Sequence, residues 1–304
     1  MRLRAPTPDD LGAAYAVVEA RDLADLGVSD YTLQDIRDTW QLSEVDLASD
    51  VRLVEDETGR IVGYGFVEDL GAFSAVRPDA EGRGAGSLLL DWTERRESER
   101  GHPVHRQYVA ATDRTAAAFL SARGYSLARS MHRMIRRLDG SVPSDAPAGV
   151  TLRQLEPEDA EAINALDNRA FANDPGYVPA SLTAFREEHL EAHDTALDLS
   201  LVAGEEERIV GFLVAKRWDD QSTGYVEILA VDPDCQGRGI GRALLLRAFS
   251  GFAAAGLREA QLGVSSVNPR TLRLYESAGM TPRFRHDVYE RPMHKAQTID
   301  PRSR

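Results

Sequence analysis

The chain has 304 residues, 42% hydrophobic and 28% charged, the balance of a soluble globular protein long enough for about two domains. A formal net charge of −13 argues against a general grip on nucleic-acid phosphates, and no run of about 18 apolar residues marks a membrane span. Cys235 is the only cysteine, so an intramolecular disulfide is excluded and a cytoplasmic, reducing location is expected. Nothing apolar follows Met1-Arg2-Leu3-Arg4-Ala5-Pro6, so no secretory leader is expected.

Taken in chain order, the landmarks of the first half return in the second. Leu3-Arg4 with Pro8 and Asp10 returns as Leu152-Arg153 with Pro157 and Asp159. Arg60-Ile61-Val62-Gly63 returns as Arg208-Ile209-Val210-Gly211, and the segment from Val76 to Gly86 returns as that from Val231 to Gly241. Gly101 and Gly124 match Gly256 and Gly279. Such self-similarity reads as two copies of one domain. The expected boundaries are 1–138 for the first copy, a Pro/Gly/Ser-rich linker at 139–149, 150–294 for the second copy and a frayed tail at 295–304.

In the second copy, 150–155 reads as a strand and Pro157-Glu158-Asp159 opens a helix. Residues 199–202 and 209–215 read as a hairpin, and 225–231 as a further strand ended by Pro233. Helical spacing from Gly241 puts Leu245, Ala248, Phe249 and Phe252 on one face until Gly256 stops the helix. Ala260, Leu262 and Val264 alternate as in a strand, Pro269 begins a helix ending at Gly279, and 284–289 close the domain as a strand. The fold class is α/β (α+β), each copy a mixed sheet with helices. His189 and His193 stand at helical spacing but lack the adjacent Glu of a zinc-protease helix, so with Glu187 and Glu188 they read as a solvated face; no metal is expected. Cys235 has no activating neighbour and reads as a bystander.

The chemistry concentrates in Gln236-Gly237-Arg238-Gly239-Ile240-Gly241-Arg242, between a strand and a helix. Three alternate glycines let backbone N–H groups close on an oxyanion, the helix N-terminus adds its dipole, and two arginines add charge. A Walker loop would need Gly-Lys-Ser/Thr, and a dinucleotide fingerprint would need glycine where Leu244 stands. The pattern Gln-x-x-Gly-x-Gly of acetyl-CoA loops is met in full by Gln236, Gly239 and Gly241.

With Leu229-Ala230-Val231-x-Pro233 before the loop, Gly241-Arg242-Ala243-Leu244-Leu245 after it, and Asn268 and Leu274-Tyr275-Glu276-x-x-Gly279 downstream, both halves resemble the GNAT superfamily of N-acetyltransferases. Tandem members are similar, the mycothiol synthase-like acetyltransferases among them. The resemblance implies a mostly antiparallel central sheet flanked by helices in each copy, and acetyl-CoA as cosubstrate. It implies that the strand edge at Leu229, Ala230 and Val231 meets the pantetheine arm. Gln236 to Arg242 then hold the pyrophosphate, Asn268 lies near the thioester, and Tyr275 protonates the departing thiolate. Glu227, on the strand before the loop, reads either as the general base or as a solvent-facing residue.

In the first copy Leu120 stands for Tyr275, Ala72 for Glu227, Asp113 for Asn268 and Glu81 for Gln236. The second copy is therefore expected to work and the first to be catalytically degenerate. The expected acceptor is a primary amine of a small molecule or peptide, with 171–177 and 283–289 as its candidate contacts. Nucleic acid and membrane are not expected partners, and the protein is expected to be a monomer or homodimer. A non-catalytic acyl-CoA sensor or scaffold is the reading from a different class.

Overall fold

A computed structural model describes residues 1–68, 71–139, 146–174, 177–218, 222–265 and 269–293. The middle of the expected linker, the expected tail and Asn268 lie outside them. The first half of the chain carries β1 (Arg2–Arg4), α1 (Leu11–Asp25), α2 (Leu33–Gln41), α3 (Leu47–Asp50), β2 (Val51–Glu55), β3 (Ile61–Glu68), β4 (Gly71–Val76), α4 (Ala85–Glu99), β5 (Val104–Ala110), α5 (Arg114–Ala122) and β6 (Ser126–Arg137). The second carries β7 (Thr151–Gln154), α6 (Ala160–Ala170), α7 (Leu182–Phe185) continued by a π-helical turn at Arg186–Leu190, β8 (Leu201–Glu205), β9 (Arg208–Trp218), β10 (Thr223–Val231), α8 (Ile240–Ala254), β11 (Glu259–Ser265), α9 (Pro269–Ser277) and β12 (Thr281–Pro292).

Two compact units form, and their membership crosses the sequence repeat. Unit 1 holds Met1–Arg129 with the chain from His286, and unit 2 holds Ser130–Arg285. In unit 1 the strands run β1-β2-β3-β4-β5, and residues 286–292 of β12 complete the sheet antiparallel to β5. In unit 2 they run β7-β8-β9-β10-β11, and residues 131–137 of β6 complete the sheet antiparallel to β11. Each copy thus gives its last strand to the other unit. Within each unit one pair is parallel, β4 with β5 and β10 with β11, and a helix crosses between its members. The rest is antiparallel.

The unit 2 sheet is apolar on both faces because helices cover both. Leu244, Leu245, Ala248, Phe249 and Phe252 of α8 pack with Val210, Leu213 and Ala215 on one face. Ile163 and Leu166 of α6 and Phe185 pack with Phe212, Val214, Ile228 and Ala230 on the other. The stripe expected on α8 is fully buried. The repeated sequence signature at the start of each copy is a forked ion pair. Arg4 spans both oxygens of Asp10 at 2.7 Å, and Arg153 spans those of Asp159 at 2.7 Å, tying the first strand to the turn before the first helix.

Phe252 lies flat against the backbone of Gly224 in β10, where a Cβ would sit 2.4 Å from its ring. The ring is fully buried and cannot withdraw. Gly224→Ala overpacks this contact and is expected to destabilise the protein by about 1–3 kcal/mol. Thermal denaturation of the variant beside the parent checks it; an unchanged Tm would mean that the helix moves aside at no cost.

Candidate active site

The site in unit 2 begins where β10 leaves β11. The two strands pair only from Thr223 to Val226, against Glu259 to Leu262. β10 then bulges at Glu227: Val226 pairs with Ala215 and Ile228 with Val214, leaving Glu227 without an opposite number in β9. A bulge bends its strand and re-aims the side chains beside it. Beyond it, Leu229, Ala230 and Val231 pair with β9 alone, so their other edge faces the gap.

The bulge also breaks the simple alternation along the strand. Val226, Leu229 and Val231 pack on the α8 face, whereas Ile228 and Ala230 pack on the α6 face. Glu227 therefore does not share the face of Leu229 and Val231, as strict alternation would require. Its Oε1 lies 3.4 Å from His189 Nδ1 and 3.8 Å from Lys216 Nζ, and Lys216 in turn lies 3.6 Å from Asp194.

The loop at the end of β10 is held open by its backbone. Gly237 and Gly239 adopt φ of +79° and +87°, where an L side chain is strained, and Gly239 is the N-cap of α8. A Cβ on Gly237 would meet no atom within 4 Å. The hollow at the helix N-terminus suits a phosphate, because free N–H groups point into it. Among the side chains expected there, Arg242 is exposed in the first turn of α8. Arg238 instead forks onto Glu205 at 2.8 and 3.0 Å, and Gln236 donates to the Val231 carbonyl at 3.3 Å. Ile240 is buried in the core and offers only its backbone. Cys235 is buried too, 3.6 Å from Arg208.

Tyr275 of α9 packs in the α8-side core at 7% exposure, and among the described residues nothing hydrogen bonds to its hydroxyl. Burial, with the Tyr225 hydroxyl adding to it, raises its pKa above the usual phenol value, so it keeps its proton at neutral pH. Tyr275 thus packs, protonated, on the α8 side of the unit 2 sheet, and Glu227 lies on its α6 side, beside His189.

His189 corrects the sequence reading. It is not on a solvated face: the side chain is 17% exposed, edge-on to Phe185 at 5.2 Å, and in the π-helical turn that follows α7. Burial works against its charge, but Glu227 and Glu188 outweigh burial and Lys216, and the imidazole pKa is raised. For Glu227, burial opposes ionisation, yet His189, Lys216 and Arg133 prevail and hold the carboxyl below its usual range. His193, by contrast, is exposed. The only sequence signal for His189 was the apolar residue four before it, Phe185, in a window otherwise full of charge.

Of the expected acceptor segment, Tyr177 is fixed by its hydroxyl, which donates its proton to the Asp167 carboxylate at 2.7 Å and lies 2.8 Å from Asn168 Oδ1, and its ring lies 5.9 Å from Phe171. Asp287 to Tyr289 pair with β5 and belong to unit 1. In unit 1 the matching loop keeps its backbone form, with Gly82 at φ +70° and Gly84 at +96°. Its surroundings differ. Glu81 is ion-paired with Arg21 of α1, which also binds Asp25 at 2.6 Å and lies 3.8 Å from Asp113. Three carboxylates there surround one guanidinium.

Residues 161–280 match the model of the acetyltransferase (GNAT) family. A mycothiol acetyltransferase of Actinosynnema mirum is 34% identical over 241 residues, covering 76% of this chain and 80% of that protein. The chain belongs to the GNAT acetyltransferase family. A mycothiol acetyltransferase of Thermomonospora curvata is also 34% identical, over 79% of this chain and 82% of its own. Among solved structures, a GCN5-related N-acetyltransferase from Sphaerobacter thermophilus superposes with a TM-score of 0.79 at 26% identity, covering 96% of this chain and 95% of its own. A tandem GNAT protein from the clavulanic acid biosynthesis pathway shares the fold at a TM-score of 0.73 and 16% identity, covering 96% and 98%. The protein is an acetyltransferase built as a tandem GNAT fold, and among its described residues no helix is long and apolar enough to cross a membrane.

The charge balance around Glu227 has a measurable consequence. Glu227→Gln removes the main partner that keeps the His189 imidazole charged, leaving burial to dominate. The imidazole pKa is then expected to fall below that of the parent, so that the ring is neutral at pH values where the parent ring is charged. Titration of the His189 ring by NMR in both proteins reads this directly; an unmoved pKa would separate the two groups electrostatically.

Proposed function

We propose that this acetyltransferase moves the acetyl group of acetyl-CoA directly to a primary amine of a small molecule, with the chemistry in unit 2. The observation that carries the reading is the parting of β10 from β11, with Tyr275 packed on the α8 side of the sheet and Glu227 on the other side. The open edge of Leu229 to Val231 suits an extended arm with amide groups, which would add to β10 as a strand does. The hollow at Gly237 to Ile240 suits the pyrophosphate, with Arg242 beside it.

In this reading Glu227, kept ionised, takes the proton of the acceptor ammonium, directly or through water. The freed amine attacks the thioester carbonyl, the C–N bond forms, and the C–S bond breaks. Tyr275 supplies the proton that converts the departing thiolate to the thiol, and the phenol is restored from the amine's proton by way of solvent. The ionised Glu227 is the group that would meet the acceptor's ammonium. The names of the relatives point to an acceptor of the mycothiol class, and 34% identity reaching across most of the chain supports that choice. Unit 1 is read as catalytically degenerate: Leu120 is buried where Tyr275 stands in unit 2, and its loop faces the carboxylates around Arg21.

Any side chain at Gly239 would strain φ, so a charge reversal in the helix is the better probe of the cradle. Arg242→Glu is expected to weaken acetyl-CoA binding by about tenfold or more, because a carboxylate then faces the phosphates. Ser87→Glu, the matching change in unit 1, is expected to leave the measured affinity as it was. Calorimetry on both variants decides; equal losses would move the binding site or double it.

Tyr275→Phe removes one hydroxyl and keeps the ring in its pocket. It is expected to lower kcat by roughly 10²–10⁴-fold with little change in acetyl-CoA affinity. The lower part of that range is expected, since a thiolate is a fair leaving group. Turnover with the mycothiol-class acceptor, beside a binding titration, provides the measurement; near-normal kcat would make the tyrosine a packing residue.

A further inference from the structure

The face of unit 1 that corresponds to the acceptor side of unit 2 has not been filled in. The repeat places Tyr64, Phe66 and Glu68 of β3 where β9 carries Phe212, Val214 and Lys216, and Phe73 of β4 where β10 carries Ile228. The strand registers agree: Phe66 pairs with Phe73 as Val214 pairs with Ile228. In unit 1 this face lines a cavity of about 100 Å³, bounded by Tyr31, Tyr64, Phe66, Phe73, Ile36 and Glu68.

The chemistry of its wall has changed sign and character. Tyr31 and Phe73 stand 5.7 Å apart with their rings tilted by 50°, and Tyr64 and Phe73 stand 6.2 Å apart, tilted by 56°. Trp40 backs Tyr64, stacking at 6.5 Å and donating its indole N–H to the Tyr64 hydroxyl at 3.2 Å, so that ring is held in place. Tyr31 stays 41% exposed at the mouth, an aromatic side chain that core packing alone does not call for. Glu68 is exposed, and among the described residues no Lys, Arg or His lines the cavity.

Ring faces carry negative potential, and a cation within about 6 Å of a ring centroid is attracted to it. Four aromatic side chains lining one small hollow, with a carboxylate among its lining residues, are the chemistry that attracts an ammonium with apolar substituents. We infer that unit 1 binds a small alkylated ammonium group in this cavity. The site goes beyond the acetyl transfer proposed for unit 2, and it uses none of the residues assigned to that reaction.

Tetramethylammonium is the probe, and tert-butanol is its neutral counterpart of similar shape. Saturation-transfer NMR on the full chain is expected to show tetramethylammonium binding with a dissociation constant on the order of 1 mM. tert-Butanol is expected to bind at least about tenfold more weakly. Tyr31→Ala is expected to weaken tetramethylammonium by about tenfold and Glu68→Gln by about threefold. Both residues are exposed, so both variants are expected to keep the parent's Tm and its acetyl-CoA affinity. Glu227→Gln is expected to leave the binding unchanged. Absence of saturation, equal binding of tert-butanol, indifference to both unit 1 substitutions, or loss of the signal in Glu227→Gln would each overturn the inference.

Discussion

The site rests on a parallel strand pair that stops after four residues. A sheet normally satisfies its backbone by continuing, and an unpaired peptide group away from water costs about 1–3 kcal/mol. Here the bulge at Glu227 turns β10 off β11, so the edge of Leu229 to Val231 keeps donors and acceptors for something other than the sheet. The same bulge turns Glu227 toward His189 and Lys216. One irregular residue thus opens the gap and aims the carboxylate beside it.

Electrostatics around that carboxylate are balanced rather than simply attractive. Glu227 is shielded enough for its charge to be costly, and three cationic groups offset the cost. His189 at 3.4 Å and Lys216 at 3.8 Å, with Arg133, keep the carboxylate ionised despite its burial. In unit 1 the loop of the same shape has gone the other way. Arg21 is drawn to Glu81, Asp25 and Asp113.

Much of the fold was legible because its signals are local. Glycines that need positive φ, such as Gly237 and Gly239, cannot be exchanged freely, so the loop stands out in the sequence and again in the structure. The α8 stripe at Leu245, Ala248, Phe249 and Phe252 is a helical period that packing preserves. What was not legible depends on distant partners. Nothing in the composition of 281–292 says that its second part pairs with β5 rather than within its own copy, since either edge accepts the same alternating strand. The bulge at Glu227 is a register event between two strands and leaves no mark on the strand itself. His189 is surrounded in sequence by Arg186, Glu187, Glu188 and Glu191, and only the packing of Phe185 carries it inward. Tyr31, Phe66 and Phe73 are too far apart in sequence to be recognised as one wall.

The exchanged strands also bear on how the molecule is made. The β5 edge of unit 1 is covered by residues 286–292, and the link is reinforced by Arg106 pairing with Glu290 at 2.9 Å, a contact spanning 184 residues. A ribosome adding about 5–20 residues per second finishes β5 many seconds before that partner strand exists. Until then unit 1 presents an open sheet edge, the kind of surface that pairs with other chains. Sheet completion in unit 1 therefore waits on synthesis of the second copy.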